Sequence, residues 1–213
     1  MDLVLFGIQG SGKGTLGKII ADKYGFQIFE TGSELRKLSQ EDSDLARTVK
    51  SIVEAGHLVP NEVVMDIIEN FMKHLPAGTK VLFDGIPRKL EQAETFDALM
   101  QKLGRTFMGI LIELPEEVAL KRLTTRRMCE NCKTIYPAAY TKDTCEKCGR
   151  KLVTRNDDNP ESIKTRIAAF FQETIPVIER YNKKNLMITM NGNQSIEDAA
   201  SETLQIIDKL LKK

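Results

Sequence analysis

The sequence predicts an α/β fold in which a parallel sheet carries helices on both faces. Three observations support this. Short, almost wholly apolar runs have the length of buried strands. Longer segments of helical periodicity separate most of them, and strand–helix alternation of this kind argues for parallel pairing. The first apolar run stops at a glycine-rich turn that leads directly into a helical pattern.

Residues 2–6 (DLVLF) read as the first strand, and a helix follows from Lys13 to Tyr24. Further strands are expected at 26–29, 80–83, 108–114 and 186–190, and helices at 61–74, 88–103, 115–127, 160–182 and 195–212. The helix from 160 has a clear start, with Asn159 as N-cap, Pro160 in the first turn and then Glu161. Pro176 is expected to kink it. Two segments interrupt the alternation. Residues 31–60 form a polar, helix-rich insertion between the second and third strands. Residues 128–157 hold all the cysteines, little apolar material and no helical periodicity. A stretch too poor in apolar residues to build a core needs another staple, and a metal supplies one.

A chain of 213 residues can bury a sizeable core, either as one large domain or as a core with small insertions. Charged residues make up 29% and nearly cancel to a net charge of +1. Such a balance gives no overall basic field for nucleic acid or an anionic membrane. The opening MDLVLFGIQG has an acid at position 2 and glycines in place of a sustained apolar stretch, unlike a signal or transit peptide. With no apolar run of about eighteen residues, nothing in the sequence reads as a membrane span. The chain is expected to be soluble and cytoplasmic.

Gly7-Ile-Gln-Gly10-Ser-Gly12-Lys13-Gly14-Thr15 sits between the first strand and the first helix, as a phosphate loop does. Glycines let successive N–H groups turn toward phosphate oxygens. The helix N-terminus adds its positive end, and Lys13 adds a mobile charge. The general pattern places Ser or Thr directly after the lysine; here Gly14 takes that place and Thr15 follows. The fold expected from this loop is a P-loop NTPase-type parallel sheet. The cysteines form two knuckles, Cys129-x2-Cys132 and Cys145-x2-Cys148, which in a long chain with this spacing read as a four-thiolate zinc site.

The GSGKGT form of the loop (residues 10–15) resembles that of nucleoside monophosphate kinases, and the other motifs narrow the likeness to adenylate kinases of the long form with a zinc-binding lid. Residues 30–36 (ETGSELR) are similar to the family's TGD-x-LR segment, and 54–64 (EAGHLVPNEVV) to its AG-x-LV segment. DGIPRKLEQ at 84–92 resembles DG-[FY]-PR-x4-Q with one residue fewer, and TRNDD at 154–158 leads to Arg166 as TRxDD leads to a second arginine. These motifs occur in family order from residue 7 to about 195. Ser33 stands in place of the usual aspartate, Ile86 in place of the usual aromatic and Asn191-Gly192 in place of a usual Asp-Gly, while the stretch between the knuckles is short for such a lid.

The resemblance implies reversible phosphoryl transfer from ATP to AMP, giving two ADP, in a monomer that closes a lid. It implies Mg²⁺ with ATP and a structural Zn²⁺ on Cys129, Cys132, Cys145 and Cys148. The core would comprise 1–30, 61–125 and 159–213, the AMP-binding domain 31–60 and the zinc-binding lid 126–158. Gly10, Ser11, Gly12, Lys13, Gly14 and Thr15 would hold ATP phosphates, with Arg122, Arg126, Ile135, Tyr136 and Gln194 also touching ATP. The AMP pocket would comprise Thr31, Arg36, His57, Leu58, Val59, Gly85, Ile86, Pro87, Arg88, Gln92, Arg155 and Arg166. Lys13, Asp84, Arg88, Arg126, Arg155 and Arg166 would carry catalysis.

The residue types suit that chemistry. Phosphoryl transfer needs positioning and charge neutralisation more than covalent help. An AMP-type phosphate has its second pKa near about 6 and is already mostly ionised at neutral pH, so no general base is required. Six of the eleven arginines fall within the motifs; their planar forks bind phosphate oxygens bidentately and stay charged when desolvated. Asp84 ends the third strand, the usual place for a carboxylate that orders magnesium-bound waters. Thr31 and Gln92 could reach a base, and the Gln92 amide offers both a donor and an acceptor to an adenine edge. Arg127 and Arg150 match no motif and read as surface residues. His74 suits a helix C-terminus, and His57 would offer only its backbone to the pocket.

Two other readings use the same residues. A GTPase would need an NKxD sequence, and Asn182-Lys-Lys-Asn185 lacks its aspartate. A UMP/CMP-type kinase usually has a small residue at Thr31 and a short lid. The cysteine segment could also be a nucleic-acid-binding ribbon, with Tyr136 and Tyr140 stacking on bases.

Overall fold

The computed structural model describes residues 1–137 and 140–211. β1 (Asp2–Phe6), α1 (Lys13–Tyr24) and β2 (Gln27–Glu30) open the chain, and α2 (Thr31–Leu38), α3 (Asp44–Glu54) and α4 (Asn61–Lys73) lead to β3 (Val81–Asp84). Next come α5 (Leu90–Lys102), β4 (Phe107–Glu113) and α6 (Glu116–Thr125). The cysteine segment contributes β5 (Arg127–Cys129), β6 (Ile135–Tyr136) and β7 (Leu152–Val153), and α7 (Pro160–Ala169), α8 (Ile175–Lys183), β8 (Met187–Asn191) and α9 (Ile196–Leu211) follow.

The main sheet has the order β2-β3-β1-β4-β8, and every neighbouring pair is parallel. Alternation along β1 shows why both faces need cover. Val4 and Phe6 join the core beneath α4, α5 and α8, whereas Leu3 and Leu5 join Leu16 and Ile20 of α1 and Ile207 of α9. Aromatic rings tie the first of these layers together in edge-on contacts: Phe83 meets Phe96 at 5.1 Å, and Phe96 meets Phe107 at 5.3 Å. Glu30 pairs in register with Asp84, and Leu5 pairs with Asp84 across the other side of β3. The phosphate loop, the start of α2 and the Asp84-Gly85 turn therefore share the carboxyl edge of the sheet, where open α/β sheets bind ligands.

Expected strands and helices match within a few residues, with two differences of kind. The single helix expected over 160–182 is two helices joined by a π turn at Phe170–Thr174, in which the Ile175 N–H donates five residues back to the Phe170 carbonyl. Pro176 lies in the first turn of α8, so the disturbance falls upstream of the proline instead of at it. Proline lacks the N–H that the carbonyl four residues earlier would need, and widening the preceding turn accommodates that loss. The cysteine segment, which shows no helical periodicity and carries no expected strand, forms a small antiparallel sheet of order β6-β5-β7. The helix expected over 115–127 stops at Thr125, and Arg127 already pairs within that sheet. The last residue expected in the 195–212 helix lies outside the described residues.

Candidate active site

The phosphate loop is shaped by its glycines. Gly12 has φ 98°, a left-handed conformation that L side chains rarely adopt, and it caps the start of α1. The first N–H groups of a helix have no partner within it, so the turn presents them, together with the helix's positive end, to the cleft. Lys13 Nζ curls over the loop to donate to the carbonyls of Gly7 (2.6 Å) and Ile8 (3.0 Å). Burial lowers the Lys13 pKa to about 8; Asp84 opposes that shift, while Arg88 and Arg126 add to it. Ser11 Oγ, Thr31 Oγ1 and Gln9 Oε1 are buried without a hydrogen-bond partner among the described residues.

Around Lys13 lies a ring of guanidinium groups. Arg88 is anchored at three points: Nε donates to the Gly85 carbonyl (3.0 Å), its N–H donates to Gln92 Oε1 (2.9 Å), and its carbonyl accepts from Thr174 Oγ1 (3.1 Å). Burial lowers the Arg88 pKa, with nearby Arg166 and Arg36 acting in the same sense against Asp84. Burial likewise lowers Arg155 to about 10, and Arg126 and Arg36 add like-charge repulsion. Burial pushes the Asp84 carboxyl up, opposed chiefly by Lys13. Cations crowded together this way are a cost to the fold unless an anion sits among them.

Asp157 and Asp158 belong to the quoted TRNDD motif but carried no role in the sequence reading. Both Asp158 oxygens accept from Arg126 (2.6 Å each), and Asp158 Oδ1 also accepts from Arg166 Nη2 at 2.8 Å. Burial alone would raise the Asp158 pKa, but the two guanidinium groups hold it below the usual carboxylate range. Arg166 also reaches Asp157 Oδ2 at 3.1 Å. Adjacent carboxylates eight and nine residues before an arginine are the sequence signal for this network. Arg155 has no carboxylate within ion-pair distance among the described residues, and its Nε donates to Met128 Sδ at 3.3 Å.

The four cysteine Sγ atoms lie within 4.8 Å of one another, and the closest pairs, Cys129–Cys148 and Cys132–Cys145, are each 3.4 Å apart. That is too far for a disulfide, near 2.05 Å. It suits the edge of a tetrahedron with metal–sulfur bonds of about 2.3 Å, roughly 3.8 Å. Each knuckle closes in the same way: the Lys133 N–H donates to the Cys129 carbonyl (3.2 Å) and the Gly149 N–H to the Cys145 carbonyl (2.8 Å), with both donor residues at positive φ. Four close cysteines of this geometry could hold a metal ion.

One cleft of about 2080 Å³ is lined by the loop residues Gly10 to Thr15 and by Asp84, Arg122, Arg126 and Gln194. Thr31, Arg36, His57, Leu58, Val59, Gly85, Arg88, Gln92, Arg155, Arg166 and Ile135 line it too. Arg122 is fixed by weak contacts to the carbonyls of Gly10 (3.4 Å) and Gly192 (3.2 Å). Gln194 Nε2 bonds to Asn191 O and Glu202 Oε2.

Three expected pocket residues, Ile86, Pro87 and Tyr136, face elsewhere, and the side chains of Ile86 and Tyr136 complete cores. Ile86 is buried among core residues, and neither it nor Pro87 lines the cleft. The Tyr136 side chain turns into the small core of the cysteine unit, with its hydroxyl 3.2 Å from Cys145 Sγ and accepting from the Glu146 N–H at 3.0 Å. Buried there against Tyr140, it is not free to stack on a base. Gln92 Oε1 already accepts from the Arg88 N–H, which leaves both Nε2 donors and one oxygen lone pair for a base. Arg127, expected as a surface residue, braces the cysteine unit by donating to Asp143 (2.8 Å) and the Tyr140 carbonyl.

A parallel sheet with a phosphate loop after its first strand, opening on a cleft ringed by arginines, defines a P-loop phosphotransferase. The adenylate kinase family model matches residues 5–186. Adenylate kinase of Staphylococcus epidermidis is 34% identical over 215 residues, covering 99% of this chain and 100% of the relative. The Staphylococcus aureus protein of the same name matches with the same identity and coverage. The chain belongs to the adenylate kinase family.

Proposed function

We propose that this chain transfers a phosphoryl group reversibly from ATP to AMP, giving two ADP. The observation that carries the reading is the convergence of Lys13, Arg36, Arg88, Arg126, Arg155 and Arg166 on a single cleft of about 2080 Å³. A single-ligand pocket is typically about 300–1,000 Å³, so this cleft has room for two nucleotides end to end.

In this reading the 10–15 loop and Lys13 hold the ATP phosphates, and Arg122, Ile135 and Gln194 border that nucleotide. Thr31, Arg36, Val59, Arg88 and Gln92 hold AMP, within an AMP-binding domain at 31–60 and the adjoining core. Arg88, Arg126, Arg155 and Arg166 neutralise charge on the transferring group, each clamp being worth about 10²–10³ in rate. The acceptor phosphate is already ionised, so no side chain needs to move a proton. Asp84, at the strand end beside Lys13, and the exposed Thr15 hydroxyl offer hard oxygen ligands that suit Mg²⁺. Bound with ATP, that ion supplies further charge neutralisation.

Residues 126–158 act as the lid, excluding water when closed. Cys129, Cys132, Cys145 and Cys148 would hold Zn²⁺ through four thiolates, leaving no place for water or substrate, so the metal would staple the lid and take no part in the reaction. No described helix is long and apolar enough to cross a membrane. The reading is of a cytoplasmic monomer without nucleic-acid partners.

A coupled assay with ATP and a panel of monophosphates tests the assignment. The Thr31 hydroxyl, without a hydrogen-bond partner among the described residues, and the Gln92 amide should favour AMP over CMP and UMP by at least about a hundredfold in kcat/KM. Equal activity on a pyrimidine monophosphate would overturn it.

A further inference from the structure

Arg88 is held from behind by a part of the chain with no expected role. The π turn at Phe170–Thr174 brings Thr174 against the backbone after Gly85, and its hydroxyl donates to the Arg88 carbonyl at 3.1 Å across 86 residues of sequence. Thr174 is buried, and this is its side chain's hydrogen bond among the described residues. In regular helix a threonine hydroxyl commonly bonds the carbonyl three or four residues back, as Thr165 does to Glu161 at 3.0 Å. At Thr174 the widened turn directs the hydroxyl outward instead.

A cavity of about 20 Å³ lies beside this contact, lined by Gln9, Lys13, Gly85, Arg88 and Thr174. That volume is near the minimum for one water molecule. The void leaves this side of Arg88 less completely packed, so the hydrogen bond bears more of its placement than it would in a filled core.

We propose that Thr174 is a positioning residue for phosphoryl transfer, the π turn serving to present its hydroxyl to the main chain of Arg88. The proposal rests on the reading of Arg88 as a clamp on the transferring group. A guanidinium that drifts by a fraction of an ångström loses complementarity to the transition state more than to bound nucleotides.

Thr174→Val keeps the shape and removes the hydroxyl. Its kcat is expected to fall about tenfold, with KM for ATP and AMP within about twofold of wild type. Thr174→Ser, which keeps the hydroxyl, should recover kcat to within about twofold. A double-mutant cycle separates this proposal from the reading beneath it. In an Arg88→Ala background, Thr174→Val should change the residual rate by less than about twofold.

Wild-type kcat in Thr174→Val overturns the proposal. So does a full tenfold effect that persists without Arg88, or a serine variant as impaired as the valine one. If Thr174→Val does not fold, a folded Thr174→Ser whose kcat is down about tenfold overturns the proposal, and one within about twofold of wild type supports it. Near-normal kcat in Arg88→Ala would instead overturn the role given to Arg88.

Discussion

The transfer cleft and the cysteine unit solve opposite electrostatic problems. In the cleft, cations are gathered with too few anions: Lys13, Arg88 and Arg155 are all shifted downward by burial, and each also feels neighbouring positive charge. In the cysteine unit, four sulfur ligands that bind metal as thiolates are gathered within 4.8 Å of one another. Each region is incomplete without a partner of opposite charge, but they differ in support. The cleft stands on a sheet with apolar cores on both faces, whereas the core of the cysteine unit comprises, among the described residues, Cys129, Tyr136, Cys145 and Leu152, with Tyr140 packed against it. The cleft can therefore remain folded while its charges are unsatisfied. The cysteine unit, with so small a core, is expected not to, so that the metal matters to folding there and the charges matter to rate in the cleft.

The largest effect expected from this contrast lies in the cleft. Lys13→Ala and Arg88→Ala should each lower turnover by at least about a hundredfold without unfolding the protein. Lys13→Met should not lower Tm. The folded-state pKa of about 8 lies below the ordinary 10.5, so the lysine's charge opposes folding at neutral pH. That penalty is full below about 8 and is gone above 10.5. Thermal melts beside steady-state rates check both halves. A variant that lost its fold together with its activity would erase the distinction between the two regions.

A smaller effect, about tenfold per pH unit, sharpens the electrostatic side. The profile of kcat/KM for ATP reports groups of the free enzyme. Lys13 binds phosphate when charged, so this quantity should fall as pH rises through about 8, where the amine becomes neutral. Nucleotide phosphates are fully ionised before that point and contribute no limb of their own. Lys13→Arg should be slower but should lack this limb, because arginine stays charged. An unchanged limb in that variant would assign the titration to another group.

How far each region was legible follows the same division. Sheet and loop were readable because their signals are local: apolar runs such as DLVLF, the glycines at 7, 10 and 12, and the Asp-Gly after β3. The arginines were readable only as members of motifs, since a lone arginine looks like any surface charge. What escaped depends on contacts distant in sequence. Nothing local turns Tyr136 inward to Cys145, or joins Asp158 to Arg126 across 32 residues. The π turn escaped because Pro176 signals a disturbance without showing that it falls upstream. The strands of the cysteine unit are two or three residues long, too short for alternation to appear, and the knuckles hold them together.

The smallest effect on rate, and the clearest on stability, is expected from the cysteines, and the choice of cysteine decides what is learned. Cys129 and Cys145 are buried, and Cys145 also meets the Tyr136 hydroxyl, so replacing either mixes lost packing with lost metal. Cys132 and Cys148 are exposed, and a serine at either changes the ligand set with little else. Purified protein should carry one zinc per chain, and Cys132→Ser should lose it. With so small a core, the cysteine unit should then unfold locally before the main sheet does, giving a lower first transition over an almost unchanged second one. Turnover at low temperature should stay within about threefold of wild type, because none of the thiolates bears on the transferring group. On warming, activity should disappear with the first transition, since closure needs an ordered lid. Calorimetry and activity measured over the same temperatures test the two statements together. A metal-free Cys132→Ser protein with wild-type melting but no turnover would place the zinc in the chemistry and overturn the division drawn between the two regions.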